Sequence, residues 1–422
     1  MPSKKLIDSI EQDELNLRQI RPYLISNISY QISRSKLGEE PSPPVLWGAP
    51  GIGKSFFLEQ ICAEKNYGLV TLYLSNTLLH QLTGLPMVRI EDANKEQKFI
   101  PWSWPDIFDF KNMKVRPRDN EGNELSGKAL VQSGVPIVLF LDDIHLCGPD
   151  IQKFLFQLLT QKAINKHKLP TNIVIVLAGN RAEDHAGFRQ MNSGISSRVT
   201  HYTVQGEPNV WIEDYAFHND VHQDIISYIQ FKPDKLNGTP IENQAWANPR
   251  TWTEASHQIS ELEKVVGRNV DTDEMFPIVK AKVGKEYAVD FYNYRELLLK
   301  WHADRILDGL TTIHKGKGKT TDKDIYLQDL DQIQAYSLLT ACVGECKKRL
   351  KEHDYKVNEK TNKIMKYVKE NIVEPITLKF RPIVPLALKM LIMEETRHRK
   401  NVTLVKTLLT DKQIVESLMD IM

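Results

Sequence analysis

Long apolar runs and an excess of charge of either sign are both missing from this chain. Its most continuous apolar stretch, residues 135–141, is far shorter than the roughly 20 residues that a membrane-spanning helix needs. The 55 lysines and arginines balance 54 aspartates and glutamates, so no net field draws the whole protein to a nucleic acid or a membrane. We therefore expect no membrane partner, and nucleic-acid binding is disfavoured, though not excluded, as the main activity.

Cysteine is scarce as well, with four in 422 residues. The first 20 residues, MPSKKLIDSIEQDELNLRQI, lack an apolar core of signal-peptide length and read as an amphipathic helix. Few cysteines and no secretion signal fit the reducing cytoplasm, which is where we expect the protein. Cys342 and Cys346 are four residues apart, but no second ligand pair follows at zinc spacing. Buried structural thiols are therefore favoured over a zinc site.

The length predicts two or three domains, and the first has the clearest pattern. From about residue 44 to residue 206, short β-rich runs alternate with helical patterns, which predicts a parallel sheet covered by helices. Continuous apolar character is typical of strands buried on both faces. The strands predicted on this basis are residues 44–47, 69–74, 137–141, 173–178 and 200–204.

Polar and proline-containing stretches suggest the other boundaries. The nucleotide-binding core with its N-terminal helix is predicted over residues 1–207, with a polar surface insertion at 95–134. A small helical lid is predicted over residues 208–297, and a linker over 298–324, which contains the glycine- and lysine-rich run HKGKGKTTDKD. Residues 325–422 predict a C-terminal helical region of unknown role.

The motif GAPGIGKS carries the strongest chemical signal, because it matches the phosphate-binding pattern G-x-x-x-x-G-K-[ST] between a strand and a helical run. Glycines let the backbone N–H groups of such a loop converge on phosphate oxygens, and the next helix adds its positive end. Lys54 would reach the β- and γ-phosphates and Ser55 would hold Mg²⁺. A chance glycine-rich turn is the alternative. The predicted ATP contacts are Gly48, Ala49, Pro50, Gly51, Ile52, Gly53, Lys54 and Ser55.

Polar residues follow two further predicted strands. Asp142 and Asp143 end the run IVLFL, and we assign Mg²⁺ ordering to Asp142 and orientation or deprotonation of the attacking water to Asp143. Asn180 ends NIVIVLAG and could hydrogen-bond the γ-phosphate or the catalytic water. The alternatives are two solvated acids at a strand end and a simple turn residue.

The order of GxPGxGKS, LFLDD, LAGN, SSRV and NPRTW resembles the AAA+ ATPases, most closely the MoxR-type branch. The resemblance covers about residues 24–294. It implies an α/β fold in which a P-loop AAA+ core with a parallel sheet is followed by a helical lid, here with an additional C-terminal helical region. It also implies a ring of subunits, a hexamer in this family, and a protein client with a von Willebrand factor A-type domain.

The resemblance assigns roles to two arginines. Arg198, in SSRV, matches the arginine finger that enters a neighbouring subunit's site, where a guanidinium can neutralise charge on the transferred phosphoryl group. From the sequence alone, Arg198 could equally be a surface ion-pair residue. Arg250, in NPRTW, matches the lid arginine that senses the γ-phosphate of its own subunit, and Trp252 would anchor that helix.

One departure from the family pattern bears on activity. The family usually has Glu where this chain has Asp143, and the shorter carboxylate reaches less far toward the water. The leading expectation is an Mg²⁺-dependent ATPase that remodels or activates a protein partner. A nucleotide-gated scaffold with little hydrolysis is the second, and a DNA-acting loader the third. The basic run at residues 111–118 could contact phosphates, but neighbouring acids favour a solvated loop.

Overall fold

A computed structural model describes the chain over residues 14–77, 79, 82, 87–90, 97–100, 113–164, 167–184, 189–240, 244–314, 316–321, 323–352, 367 and 369–373. The N-terminal residues 1–13 of the predicted helix, residues 101–112 of the predicted insertion and residues 374–422 of the predicted C-terminal region lie outside the described residues.

The chain divides into two compact units. The first comprises Met1–Val210 together with Asn248–Arg250, and the second comprises Trp211–Ala247 and Thr251–Met422. Each unit has its own apolar interior and is described separately below.

A six-stranded parallel sheet forms the centre of the first unit. The six strands are β1 (Leu15–Asn16), β2 (Pro44–Trp47), β3 (Gly68–Tyr73), β6 (Ile137–Asp142), β9 (Ile173–Gly179) and β10 (Thr200–Gln205). They lie in the order β1-β10-β2-β9-β6-β3. All five strands predicted from apolar runs are present, each within one residue at either end, and the α/β P-loop fold predicted from the sequence is confirmed.

Two small antiparallel pairs accompany this sheet, β4 (Met87–Ile90) with β5 (Gln97–Ile100) and β7 (Ala163–Ile164) with β8 (His167–Lys168). The helices of the unit are α1 (Leu17–Lys36), α2 (Lys54–Lys65), α3 (Gly127–Gln132), α4 (Pro149–Gln161), α5 (Ser193–Ser196) and α6 (Pro208–Val210), with 3₁₀ turns at Ile144–Leu146 and Ala182–Asp184.

Local sequence explains where the longer helices begin and end. Asn16 caps α1, accepting a bond from the backbone N–H of Gln19 while the Gln19 side chain bonds back to the Asn16 N–H. Pro149 occupies the first turn of α4, where its missing N–H costs nothing. Helices α2 and α4 end at Asn66 and Lys162, both in the left-handed conformation that closes many helices.

Both faces of the sheet are covered. Along β6, Ile137, Leu139 and Leu141 belong to one apolar layer, whereas Val138 and Phe140 belong to the layer on the opposite face. Such burial on both faces produces a continuous apolar run in place of alternation, which is why these strands were recognisable in the sequence. Because parallel strands end at one edge, the residues that follow β2, β3, β6 and β9 come together there.

The second unit is mainly helical. Its principal α-helices are α7 (Gln223–Phe231), α8 (Pro249–Val266), α9 (Thr272–Val283), α10 (Lys285–Leu299), α11 (Ala303–Leu307) and α12 (Gln332–Glu352). The first two residues of α8 group with the first unit. Shorter elements are π-helical turns at Trp211–Tyr215 and Lys369–Val373, 3₁₀ turns at Ala216–His218 and Pro233–Lys235, and a parallel strand pair, β11 (Thr312–His314) with β12 (Asp324–Tyr326).

One apolar core holds this unit together. Tyr228, Trp252 and Phe291 lie at its centre, with ring centroids of Tyr228 5.4 Å from those of both other residues. The predicted linker contributes Ile306 to this core and the predicted C-terminal region contributes Leu339. The predicted lid, linker and C-terminal region therefore share one interior, so their described parts pack together and do not form three separate bodies. Strands β11 and β12 lie at the two ends of the glycine- and lysine-rich run, residues 314–324, that was predicted to be part of a linker.

Candidate functional site

The glycine-rich loop lies between the central strand β2 and helix α2, as its motif requires. Gly51 and Gly53 have φ angles of +81° and +98°, a region that side-chain-bearing residues rarely adopt. A Cβ atom on Gly48 would collide with the carbonyl oxygen of Val204. The loop therefore depends on glycine at these three positions, and its backbone stays open toward the site.

Lys54 begins α2 and is almost completely buried, with 7% of its surface exposed. Its ammonium donates to the carbonyl oxygens of Gly48 at 2.6 Å and Ala49 at 3.0 Å, and to Oδ1 of Asn180 at 3.2 Å. Burial lowers the pKa of Lys54 to about 8, against the opposing influence of the Asp142 carboxylate. Three neutral oxygens thus surround a buried cation. A phosphate group, whose oxygens carry negative charge, can accept hydrogen bonds from this ammonium.

A hydroxyl and a carboxylate meet beside Lys54. The Oγ atom of Ser55 donates to Oδ2 of Asp142 at 2.7 Å, and Asp142 ends β6 with only 9% of its surface exposed. The backbone N–H of Asp143 donates to the other Asp142 oxygen at 2.9 Å. Hard oxygen ligands of this kind suit Mg²⁺, which is typically held by one or two protein groups together with water and phosphate oxygens. The residues present fit both ATP and Mg²⁺.

Asp143 adopts a left-handed conformation, with φ +60°. Its Oδ2 atom accepts a bond of 2.9 Å from the hydroxyl of Ser75, just beyond β3. A non-glycine residue in this region of backbone space is uncommon and is found disproportionately at functional sites. The turn directs Asp143 away from the line of the strand, and Ser75 holds its carboxylate.

Asn180 follows β9, and its Oδ1 atom accepts from the Lys54 ammonium. The residue on its other side is His145, in the 3₁₀ turn Ile144–Leu146, which sequence reasoning did not identify. The backbone N–H of Asn180 donates to Nδ1 of His145 at 3.1 Å, and the Asn180 Nδ2 atom lies 3.1 Å from Nε2 of His145. The imidazole is 1% exposed, and burial lowers its pKa.

Arg250 also lies at the loop. Its backbone N–H donates to the carbonyl of Gly51 at 3.2 Å, its side chain is exposed, and its charge contributes to the lowered pKa of Lys54. Asn248 is buried beside Gly51, so close that a Cβ there would meet the Asn248 amide. Trp252, predicted to anchor the same helix, is fully buried in the core of the second unit and donates from Nε1 to the carbonyl of Lys235 at 3.0 Å.

Arg198 stands apart from these residues. Its Nη1 donates to the carbonyl of Gly194 at 2.6 Å, and its guanidinium lies 4.6 Å from the ring centroid of Phe156. None of the bonds recorded for Arg198 among the described residues goes to the glycine-rich loop, Asp142 or Asn180.

Three residues at the site, His145, Ser75 and Asn248, were missed. The only signals for the first two were a histidine two positions after Asp143 in LDDIHL and a polar residue just after the second predicted strand. Neither pattern identifies a partner, because both contacts join segments that are distant in sequence. Asn248 was missed for the same reason.

Comparisons with known proteins agree with this geometry. Residues 44–187 match the family model described as ATPase family associated with various cellular activities (AAA). A search of curated proteins found no significant match. The segment that matches contains the glycine-rich loop, Asp142, Asp143 and Asn180.

Solved structures with similar folds include a mutant of RuvB from Thermotoga maritima and Cdc6p from Pyrobaculum aerophilum. RuvB is 13% identical, with a TM-score of 0.33 and coverage of 86% of this chain and 89% of RuvB. Cdc6p is 13% identical, with a TM-score of 0.37 and coverage of 90% of this chain and 97% of Cdc6p.

No helix among the residues described is both long and apolar enough to cross a membrane. The family match, the P-loop between β2 and α2 and the parallel sheet all agree in one assignment. Residues 44–187 match the AAA ATPase family model, and the nucleotide-binding P-loop within that segment lies at residues 48–55.

Proposed function

We propose that this protein is an Mg²⁺-dependent ATPase of the MoxR-like branch that works as a ring of six subunits, by analogy with the family, and remodels or activates a protein client. The convergence of Lys54, Ser55, Asp142 and Asn180 at one sheet edge is the observation that carries the proposal. A client with a von Willebrand factor A-type domain is the partner class that the MoxR resemblance supports.

Each residue has a defined task in this proposal. ATP and Mg²⁺ supply the phosphoryl group and its charge neutralisation, while Lys54 and the loop N–H groups bind phosphate oxygens. Ser55 and Asp142 hold the metal, and Asp143 orients or deprotonates the attacking water. Asn180 and Arg250 contact the γ-phosphate from the same subunit, and Arg198 acts on the neighbouring subunit's site.

The remaining parts of the chain serve the ring in this proposal. Residues 208–297 are the helical lid subdomain. Residues 325–422 are the region in which partner specificity is expected, because the AAA match ends at residue 187 and does not extend to them. We expect the protein to act in the cytoplasm.

A complementation experiment tests whether sites are shared. Lys54→Ala should abolish ATP binding, whereas Arg198→Ala should spare binding and abolish turnover. Mixing the two inactive variants in equal amounts should restore turnover, to about a quarter of the unsubstituted rate if subunits mix at random in a head-to-tail ring. Each restored site would combine Lys54 from one variant with Arg198 from the other.

The control is Arg34→Ala, which removes an exposed arginine at the end of α1 that pairs with Glu39 at 3.2 Å. This variant should retain full turnover and should not rescue Lys54→Ala beyond its own contribution. Full activity of Arg198→Ala alone, or a mixture that stays inactive while both variants assemble, would contradict sharing through Arg198.

A nucleotide-gated scaffold is the second candidate, and the bond between Ser75 and Asp143 favours it. The carboxylate is shorter than the family's Glu and is held by a neighbouring hydroxyl at 2.9 Å. If hydrolysis is slow for this reason, Asp143→Glu should raise turnover at least tenfold with little change in ATP affinity. Asp143→Asn, which keeps the size but removes the charge, is the matched control and should remain inactive. Equal or lower turnover in Asp143→Glu would argue against the scaffold.

A further inference from the structure

His145 is the most enclosed polar side chain beside the candidate nucleotide site, and no catalytic step proposed above uses it. It sits three residues beyond Asp142 and has 1% of its surface exposed. Both ring nitrogens face one residue, since Nδ1 is 3.1 Å from the Asn180 backbone N and Nε2 is 3.1 Å from the Asn180 Nδ2. Its own carbonyl accepts from the Arg189 N–H at 2.7 Å, which fixes the turn.

The contact between His145 and Asn180 has more hydrogen-bond donors than acceptors. The backbone N–H of Asn180 can only donate, so Nδ1 of His145 must accept. A neutral imidazole then carries its single hydrogen on Nε2. That Nε2–H group needs an acceptor, yet it faces the NH₂ end of the Asn180 amide, which is also a donor. The arrangement would be satisfied if the amide presented its oxygen to His145.

Lys54 competes for the same oxygen. Its ammonium, which only donates, lies 3.2 Å from Asn180 Oδ1. Two donors, Lys54 on one side and His145 on the other, therefore require the same amide oxygen, which can be turned to only one of them at a time. Leaving a buried donor unsatisfied costs free energy, so the orientation of this amide depends on whether Lys54 or His145 has another acceptor.

We propose that His145 is a positioning residue that turns the side-chain amide of Asn180 when Lys54 stops donating to it. This inference rests on the proposed function, in which Lys54 donates to phosphate oxygens when ATP is bound. Asn180 Oδ1 then accepts from His145 Nε2–H, and Asn180 Nδ2–H points to the side that Lys54 occupied. Asn180 becomes a donor toward the phosphate side only because His145 holds its oxygen on the other side.

A purely structural role is the competing explanation. In that case His145 only anchors the main chain at the end of β9 through Nδ1. Two substitutions separate the roles. His145→Asn places an amide oxygen near the Nδ1 position and keeps the main-chain acceptor, whereas His145→Gln places an amide donor near the Nε2 position. His145→Phe keeps the ring shape and removes both polar atoms.

The test measures equilibrium affinities for ATPγS and ADP, so that it needs no hydrolysis. His145→Phe should lower the ratio of ATPγS to ADP affinity by about tenfold or more, the effect of one hydrogen bond to a charged group. His145→Gln should stay within about threefold of the unsubstituted ratio, and His145→Asn should fall as far as His145→Phe. Rescue by Asn and not by Gln, or no change in the Phe variant, would overturn the proposal.

A double-mutant cycle with Asn180 adds a second criterion. Asn180→Ala should lower the ATPγS to ADP ratio by itself, and adding His145→Phe should lower it no further. Independent effects that add in full would show that His145 does not act through Asn180.

These binding data also separate this inference from the proposed ATPase activity. If the protein hydrolyses no ATP but its ratio of ATPγS to ADP affinity depends on His145, only the proposed hydrolysis is contradicted. If the protein hydrolyses ATP and substitutions of His145 leave that ratio unchanged, only the inference about His145 is contradicted. A chain that binds neither nucleotide would contradict both.

Discussion

At the scale of single residues, Lys54, the proposed phosphate-binding group, lowers the stability of the fold. Its ammonium is buried among carbonyl and amide oxygens, and burial lowers its pKa from 10.5 to about 8. Withdrawing a cation from water costs free energy unless opposite charge compensates for it. The residue is therefore kept for a ligand at the expense of stability.

This cost predicts a stability that depends on pH. Because the unfolded chain holds the Lys54 proton up to about pH 10.5 and the folded chain releases it near pH 8, the folded state should gain stability as pH rises between these values. Below pH 8 the loss of stability caused by burying the Lys54 charge no longer changes with pH, and it amounts to on the order of 3 kcal/mol. Lys54→Met, with similar volume and no charge, should therefore be at least as stable as the unsubstituted chain at pH 7, although it cannot bind nucleotide.

Denaturant unfolding of both proteins from pH 7 to pH 10 provides the measurement. The difference in free energy of unfolding should favour Lys54→Met at pH 7 and shrink as pH rises above 8. Parallel pH curves, or a methionine variant that is less stable throughout, would show that Lys54 stabilises the fold.

At the scale of secondary-structure elements, helix caps fix where helices begin. Asp271 caps α9, accepting from the Glu274 N–H at 2.9 Å while the Glu274 side chain accepts from the Asp271 N–H at 2.9 Å. Arg268 also pairs with Glu274 through two contacts of 2.8 Å. The start of α9 thus rests on a small exposed network.

Asp271→Ala should lower the free energy of unfolding by about 1 kcal/mol, because one N–H of the first turn loses its acceptor. Asp271→Asn keeps that acceptor and should stay within a few tenths of a kcal/mol of the unsubstituted chain. Chemical denaturation of the three proteins measures both values. A loss in the Asn variant equal to that in the Ala variant would assign the effect to charge and not to the cap.

Several elements and part of the site were predictable from sequence because their physical signatures are local. Strand β6 is buried on both faces, so its continuous apolar run identified it, and Asp142 at its end followed from the position of that run. The pairing of β1 with β10 was not predictable, since it joins Leu15 to Val204 across most of the first unit. The contact of His145 with Asn180 likewise depends on two strands lying side by side.

At the scale of the whole molecule, contacts between segments distant in sequence also explain why the packing of the second unit was not predictable. Helical periodicity in the C-terminal half showed which segments were apolar on one face. It did not show that Ile306 and Leu339 would join the core of the predicted lid. Glycine and lysine content suggested a linker at residues 314–324, but the strand pair β11–β12 at its ends depends on hydrogen bonds that composition does not encode.

The central claim at this scale is that copies of the chain complete each other's ATP sites. Its most direct test is steady-state ATP hydrolysis, with Mg²⁺, over a wide range of protein concentration, with oligomeric state measured by light scattering in the same samples. The account predicts a rate per subunit that climbs with concentration and levels off as rings form. A rate per subunit that stays constant down to concentrations at which the protein is monomeric would contradict it.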